Sequence, residues 1–186
     1  MKTLRLISAS VLVLFVAMGV ALAQMPTDTQ FLDNIRDRKY SDTMSYLVNG
    51  GSPNVRDYND IPAVVAAAEI GDAGMIRELF KYGANPDLSA KKTRITALMQ
   101  GAARGYVLVV AVLVTNNAAI DKQDNLGETA LIKAVKEGHR EMVRQLLGVG
   151  ADPELSDYSG YSAYDHAQRG RDRSIQSQLK KAVFGG

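Results

Sequence analysis

The chain has 186 residues, with 22 Lys and Arg against 20 Asp and Glu, two His and no Cys. Without cysteine there can be neither disulfides nor a thiol nucleophile, so stability has to come from packing. A formal charge of +2 with no basic stripe gives sequence-independent nucleic-acid binding no electrostatic basis.

At the N-terminus, Lys2 and Arg5 precede an apolar run from Leu6 to Val20 and then Ala21-Leu22-Ala23. A charged start, an apolar stretch and an A-x-A site predict a secretory signal peptide over 1–23, cleaved after Ala23, with the protein periplasmic or secreted and free of the membrane after cleavage. The alternative is an uncleaved anchor in which this helix tethers the protein. Removing Lys2 and Arg5 from the 22 basic residues leaves 20 against 20, so the slight basicity belongs to the signal. What remains, 186 less 23 or 163 residues, is enough for one domain.

Residues 24–30 are expected to form a short leader. From Phe31 a helical pattern begins: Phe31, Leu32 and Ile35 mark one helix, and Met44, Leu47 and Val48 the inner face of a second. The next segment repeats this layout with Val64, Ala67 and Ala68, then Met75, Ile76, Leu79 and Phe80. The stretch from Asp124 to Asp157 is the most complete copy. Thr129 caps its first helix, Gly138 interrupts, and His139 to Gly148 forms a second helix with Met142, Val143, Leu146 and Leu147 on one face. Gly150 then ends that helix and Pro153 prevents re-entry. The last segment is expected to lose a residue between its helices and to turn Ile175, Leu179, Ala182 and Val183 inward.

The punctuation is periodic. Gly50, Gly83, Asn117 and Gly150 stand 33, 34 and 33 residues apart, and Gly71, Gly105 and Gly138 stand 34 and 33 apart. Asparagine replaces glycine once, as the next best residue at positive φ. Pro62, Thr96, Thr129 and Ser162 open the units with PAV, TAL, TAL and SAY. A period in this range means stacked repeats, each too small to bury its apolar face alone.

In period and in the strings TALMQGAARGY (Thr96 to Tyr106) and TALIKAVKEGH (Thr129 to His139), the chain resembles the ankyrin repeat family. The resemblance implies an all-α solenoid of helix-turn-helix units with short β-hairpin loops. It places five units at 31–56, 57–89, 90–123, 124–156 and 157–183, the outer two as caps, with a frayed tail at 184–186. Alanine replaces the family's proline in all four openings, and Val65, Met99, Ile132 and Asp165 occupy its histidine position. Hairpins fall near Val55–Asp60, Leu88–Thr93, Ile120–Asn125 and Leu155–Ser159, and one extra residue in one of them accounts for the 34-residue step.

Catalytic chemistry finds little support. His139 starts a second helix and reads as structural; His166, beside Asp165, makes no dyad with it because helix neighbours diverge. An enzyme using His166 is the alternative from another class. DKQDNLGE, from Asp121, lacks the acids that a calcium loop needs, and no phosphate-loop or serine-elbow string occurs. No catalytic residue, cofactor or metal is expected.

A surface remains. The resemblance places hairpins and first helices along a concave groove, offering Tyr58, Lys91, Lys92, Arg94, Lys122, Asp124, Tyr158 and Tyr161 from hairpins. First helices add Gln100, Arg104, Lys133, Lys136, His166 and Arg169. The outward positions Arg140, Glu141, Arg144 and Gln145 of the fourth unit correspond to Val107, Leu108, Ala111 and Val112 of the third, all apolar. Either a neighbouring helix or the tail covers them, or they form a patch for a partner or for self-association. The expected function is non-enzymatic protein–protein interaction in a bacterial periplasm, the alternative an exported inhibitor or immunity-type protein that neutralises a toxic enzyme.

Overall fold

Thr27, whose hydroxyl accepts the Gln30 N–H while the Gln30 side chain returns the bond, starts the first helix. The computed structural model describes residues 27–185; the expected signal peptide at 1–23 lies outside them. Ten α-helices follow, in pairs: α1 Asp28–Arg36 and α2 Tyr40–Val48; α3 Ala63–Glu69 and α4 Ala73–Lys81; α5 Ala97–Ala103 and α6 Val107–Thr115; α7 Ala130–Lys136 and α8 Arg140–Gly148; α9 Ala163–Arg169 and α10 Arg173–Phe184. The first helices pack in a row α1–α3–α5–α7–α9, and α4–α6–α8–α10 form a second row behind them. Among the described residues no helix is long and apolar enough to cross a membrane.

The stops act as the period requires. Gly50, Gly83, Asn117 and Gly150 have φ of 89°, 83°, 60° and 91°, the left-handed conformation that closes each second helix. Thr96, Thr129 and Ser162 cap α5, α7 and α9 through their hydroxyls. The core runs without a break from Phe31 through Met75, Leu98, Leu131 and Met142 to Leu179. The segment Val107–Thr115 is helical despite its β-branched content, because the stops at Gly105 and Asn117 and the packing of Val109, Val110 and Leu113 outweigh intrinsic preference.

Neighbouring units are tied by the same bonds at successive steps. Asn54, Asp87 and Asp121 accept the backbone N–H of Asn85, Ala119 and Asp152 in the following unit. Hairpin tips join by backbone bonds from Lys91 to Asp60, Asn125 to Thr93 and Tyr158 to Leu126. Behind them, the Tyr106 ring covers Gly71 and the His139 ring covers Gly105, with His139 Nε2 3.0 Å from the Ala103 carbonyl. A methyl group at Gly105 would lie 2.9 Å from His139 Nδ1, so the close approach requires glycine.

Several expectations need correction. Helix α1 begins at Asp28, inside the segment expected to be a leader, because Thr27 and Gln30 supply a complete cap. The loops are hairpins only to the extent of isolated bridges, Arg56 with Pro62, Ser89 with Thr96 and Ser156 with Ser162. The extra residue lies in the second of these turns: Ala90 N reaches the Ile95 carbonyl, five residues on, where Asp57, Asp124 and Asp157 reach carbonyls four residues on. The last unit loses no residue between its helices. Its glycine comes one position early, at Gly170 in extended backbone, and α9 and α10 start 33 residues after α7 and α8. Val48 and Ala182 face solvent rather than the core, since each stands at the outer edge of a terminal unit with no further helix to meet.

Candidate functional site

The hairpin turns are built on a recurring aspartate. Asp57, Asp124 and Asp157 each accept, through Oδ1, the backbone N–H groups two and four residues ahead: Asn59 and Ile61, Leu126 and Glu128, Ser159 and Tyr161. Such turns satisfy donors that a tight loop would otherwise bury unpaired. The second oxygen of each carboxylate meets a nitrogen of a side chain from a first helix. Arg36 lies 2.5 Å from Asp57, Lys133 lies 2.7 Å from Asp124, and His166 Nε2 lies 2.8 Å from Asp157. Burial pushes the Asp57 and Asp157 carboxyls up, but these bonds outweigh it and hold both below the ordinary value of 3.8.

Glu128 extends the network. It bonds Lys133 at 2.7 Å and also Lys136, and although burial pushes its carboxyl up, the two ammonium groups bring it below 4.5. Burial alone would lower Lys133, whose side chain is 13% exposed, yet Asp124 and Glu128 outweigh that and raise it. In the last unit Tyr161 replaces Glu128 one period on, and Arg169 replaces Lys136; the guanidinium lies 3.4 Å from the centre of the Tyr161 ring. A cleft of about 550 Å³ opens between the last two units, lined chiefly by Leu126, Glu128, Lys136, Tyr158, His166 and Arg169.

The sequence-predicted residues divide three ways. Tyr158, Tyr161, His166, Lys136 and Arg169 meet at this cleft, with Lys133 bound beneath Glu128. Tyr58, Lys92, Arg94, Gln100 and Arg104 lie on earlier units, all but Gln100 well exposed, and do not line it; Lys122 turns to the Asp87 carbonyl at 2.9 Å. Asp124 and Lys133, expected to meet a partner, are buried and half-buried and engaged with each other, because the turn needs the carboxylate inside. His166 does find an aspartate, but it is Asp157 nine residues earlier, while Asp165 turns back to Ser162 as a cap. The recurrence of aspartate at 57, 124 and 157 was the available signal for these anchors. Glu128 and Leu126 carried none.

The apolar positions of α6 are uneven. Leu108 is 73% exposed, whereas Val107, Ala111 and Val112 are half-buried, and Val107 lies beneath Gln145, whose amide bonds its carbonyl at 3.3 Å. The tail does not cover them, since α10 packs on α8 and α9. Among the described residues no group of three or more His, Cys, Asp or Glu is placed to hold a metal ion.

Paired helices stacked through hairpins, with an open cleft on the hairpin side, define a helical repeat protein with an interaction surface. The sequence matches the family described as Ankyrin repeats (3 copies) over residues 64–157 and again over 98–179, and the chain belongs to the ankyrin repeat family. It is 33% identical over 132 residues to the mouse Ankyrin repeat and SAM domain-containing protein 6, covering 69% of this chain and 15% of that protein. Over 140 residues it is 29% identical to the Glycerophosphocholine phosphodiesterase gde1 of Schizosaccharomyces pombe, covering 74% of this chain and 12% of that one. A Treponema pallidum protein named as ankyrin repeat-containing is 27% identical over 148 residues, 80% of this chain and 50% of its own length. The chain thus spans between about an eighth and a half of these relatives. Its repeats make it a protein–protein interaction module.

Proposed function

We propose that this module binds its partner protein on the hairpin side of the last two units, that it does so without catalysis, and that it works outside the cytoplasm. The observation that carries the site is the cleft of about 550 Å³, where buried carboxylates fix the turns and leave Tyr158, Leu126, Lys136 and Arg169 at the rim. A surface ordered before docking loses little conformational entropy on binding, so modest contacts give useful affinity. The His166–Asp157 pair serves to hold a hairpin, since Asp57 and Asp124 hold theirs in the same way with Arg36 and Lys133, which are not catalytic bases of that kind. Export is supported by the order of Lys2, Arg5, the apolar run and Ala21-Leu22-Ala23.

Cross-linking in the intact cell envelope, followed by identification of the captured protein, tests the site. Tyr158→Ser with Leu126→Ser is expected to reduce capture about tenfold at unchanged melting temperature, a loss of about 1.4 kcal/mol. Undiminished capture sinks the assignment. Mass spectrometry of the purified protein tests cleavage after export: an N-terminus at Gln24 supports it and one at Met1 favours the uncleaved anchor.

A further inference from the structure

We propose that the segment received by this cleft carries a carboxylate next to an aromatic or aliphatic side chain, the carboxylate meeting Arg169 and the apolar group lying against Tyr158 and Leu126. The inference rests on the cleft being the docking site and specifies the chemistry of its ligand.

It follows from which charges are already engaged. The acids at the cleft are inward and paired: Asp124 and Glu128 with lysines, Asp157 with His166, their side chains 1%, 8% and 6% exposed. Asp165, one helical turn before Arg169, bonds the Ser162 hydroxyl at 2.7 Å and its N–H at 3.0 Å. Arg169 is therefore left with no carboxylate within salt-bridge range among the described residues, Asp165 feeling its charge only from further off, and it is exposed and stacked on Tyr161. Lys136, the other outward cation, is partly neutralised by Glu128. An approaching chain meets positive charge, since buried and paired carboxylates project little field into water.

The stacking also sets geometry. A guanidinium whose central carbon lies 3.4 Å from the ring centre is held over that ring, and its planar fork of N–H groups can receive a carboxylate through two parallel bonds. Beside it, Tyr158 and Leu126 are 65% and 58% exposed on adjoining hairpins joined by the bond from Tyr158 N to the Leu126 carbonyl. A methyl group on Gly127 would lie 2.6 Å from Tyr158, so the ring is pressed onto the glycine and stays in place. Fixed apolar surface next to one unpaired cation fits an acidic residue flanked by a large apolar one.

The test uses the full chain and three labelled peptides of equal length, Gly-Ser-Phe-Glu-Glu-Leu-Gly-Ser and its counterparts with both Glu replaced by Gln or by Lys. Amide shift mapping is expected to place the acidic peptide at 124–128, 157–161 and α9. Anisotropy is expected to show it binding about tenfold more tightly than the Gln form. Arg169→Gln should abolish that advantage, Arg169→Lys should retain part of it, and Arg104→Gln should leave it intact. If the Gln or Lys peptide binds this cleft as tightly, or if Arg169→Gln changes nothing while Tyr158→Ser releases the peptide, the carboxylate inference fails and the docking site stands. If none of the peptides perturbs the cleft, or all of them map to another face, both fail.

Discussion

The third and fourth units share a backbone and differ in almost everything laid over it. In the fourth, Asp124 anchors the hairpin turn, Lys133 and Glu128 complete a buried network, and α8 presents Arg140, Glu141 and Arg144 to water. In the third, Ala90 stands in place of the aspartate, the turn is a residue longer, Arg94 takes a positive φ of 59° where Gly127 has 77°, and α6 shows Leu108 to solvent. Both still place their helices in the same two rows. Stops and inward apolar positions therefore carry the stack, while turn anchors and outward faces are free to be specialised.

Acid is expected to separate the two most strongly, because it attacks several anchors together. Asp57, Glu128 and Asp157 have folded values below their ordinary 3.8, 4.5 and 3.8, so each stabilises the fold above those values and loses its contribution as pH falls below them. Hydrogen-exchange protection at Ile61, Glu128 and Tyr161 should drop across that range. Protection at Ile95, whose turn has no carboxylate anchor, should hold until the whole stack unfolds; equal loss there would break the contrast.

Asp124→Ala comes next, with a cost of about 3 kcal/mol in urea denaturation, since it leaves two backbone N–H groups without their acceptor and takes one of two carboxylates from a half-buried lysine. Ala90→Asp should recover almost none of this in the third unit, where the longer turn moves the donors away. A large gain from that change would show the two turns to be equivalent. Gly127→Ala should cost about 2 kcal/mol, from positive φ and from a methyl group 2.6 Å from Tyr158 N, and should weaken partner capture with it.

The reverse change at the matching position, Arg94→Gly, should stabilise by about 1 kcal/mol by relieving a left-handed arginine. Smallest of all, Leu108→Glu should shift stability by under about 0.5 kcal/mol, because the side chain touches little of the core. If sedimentation shows self-association of the wild type, that substitution should reduce it; a marked fall in melting temperature would instead mean that Leu108 is packed.

Legibility followed the same division. Glycine and asparagine stops, threonine and serine caps, and inner faces such as Met142, Val143 and Leu146 were readable because each is a local signal repeated at a fixed interval. The helical state of Val107–Thr115 was readable for the same reason, against its own composition. The pairs Asp124 with Lys133 and Asp157 with His166 were not, since nine residues separate the partners and they meet only when a turn folds back onto its helix.

By itself, then, the sequence determined the stacking, its period and its inner surface, since a short unit that cannot bury its apolar face must find a copy of itself. Tertiary structure alone decided which charges are spent inside the chain and which remain for a partner. Lys133 and Arg169 look alike on paper, but a buried carboxylate network takes in the first, while Ser162 draws the neighbouring acid away from the second. Availability depends on desolvation and on the distance between atoms far apart in the chain, and neither is written in local sequence.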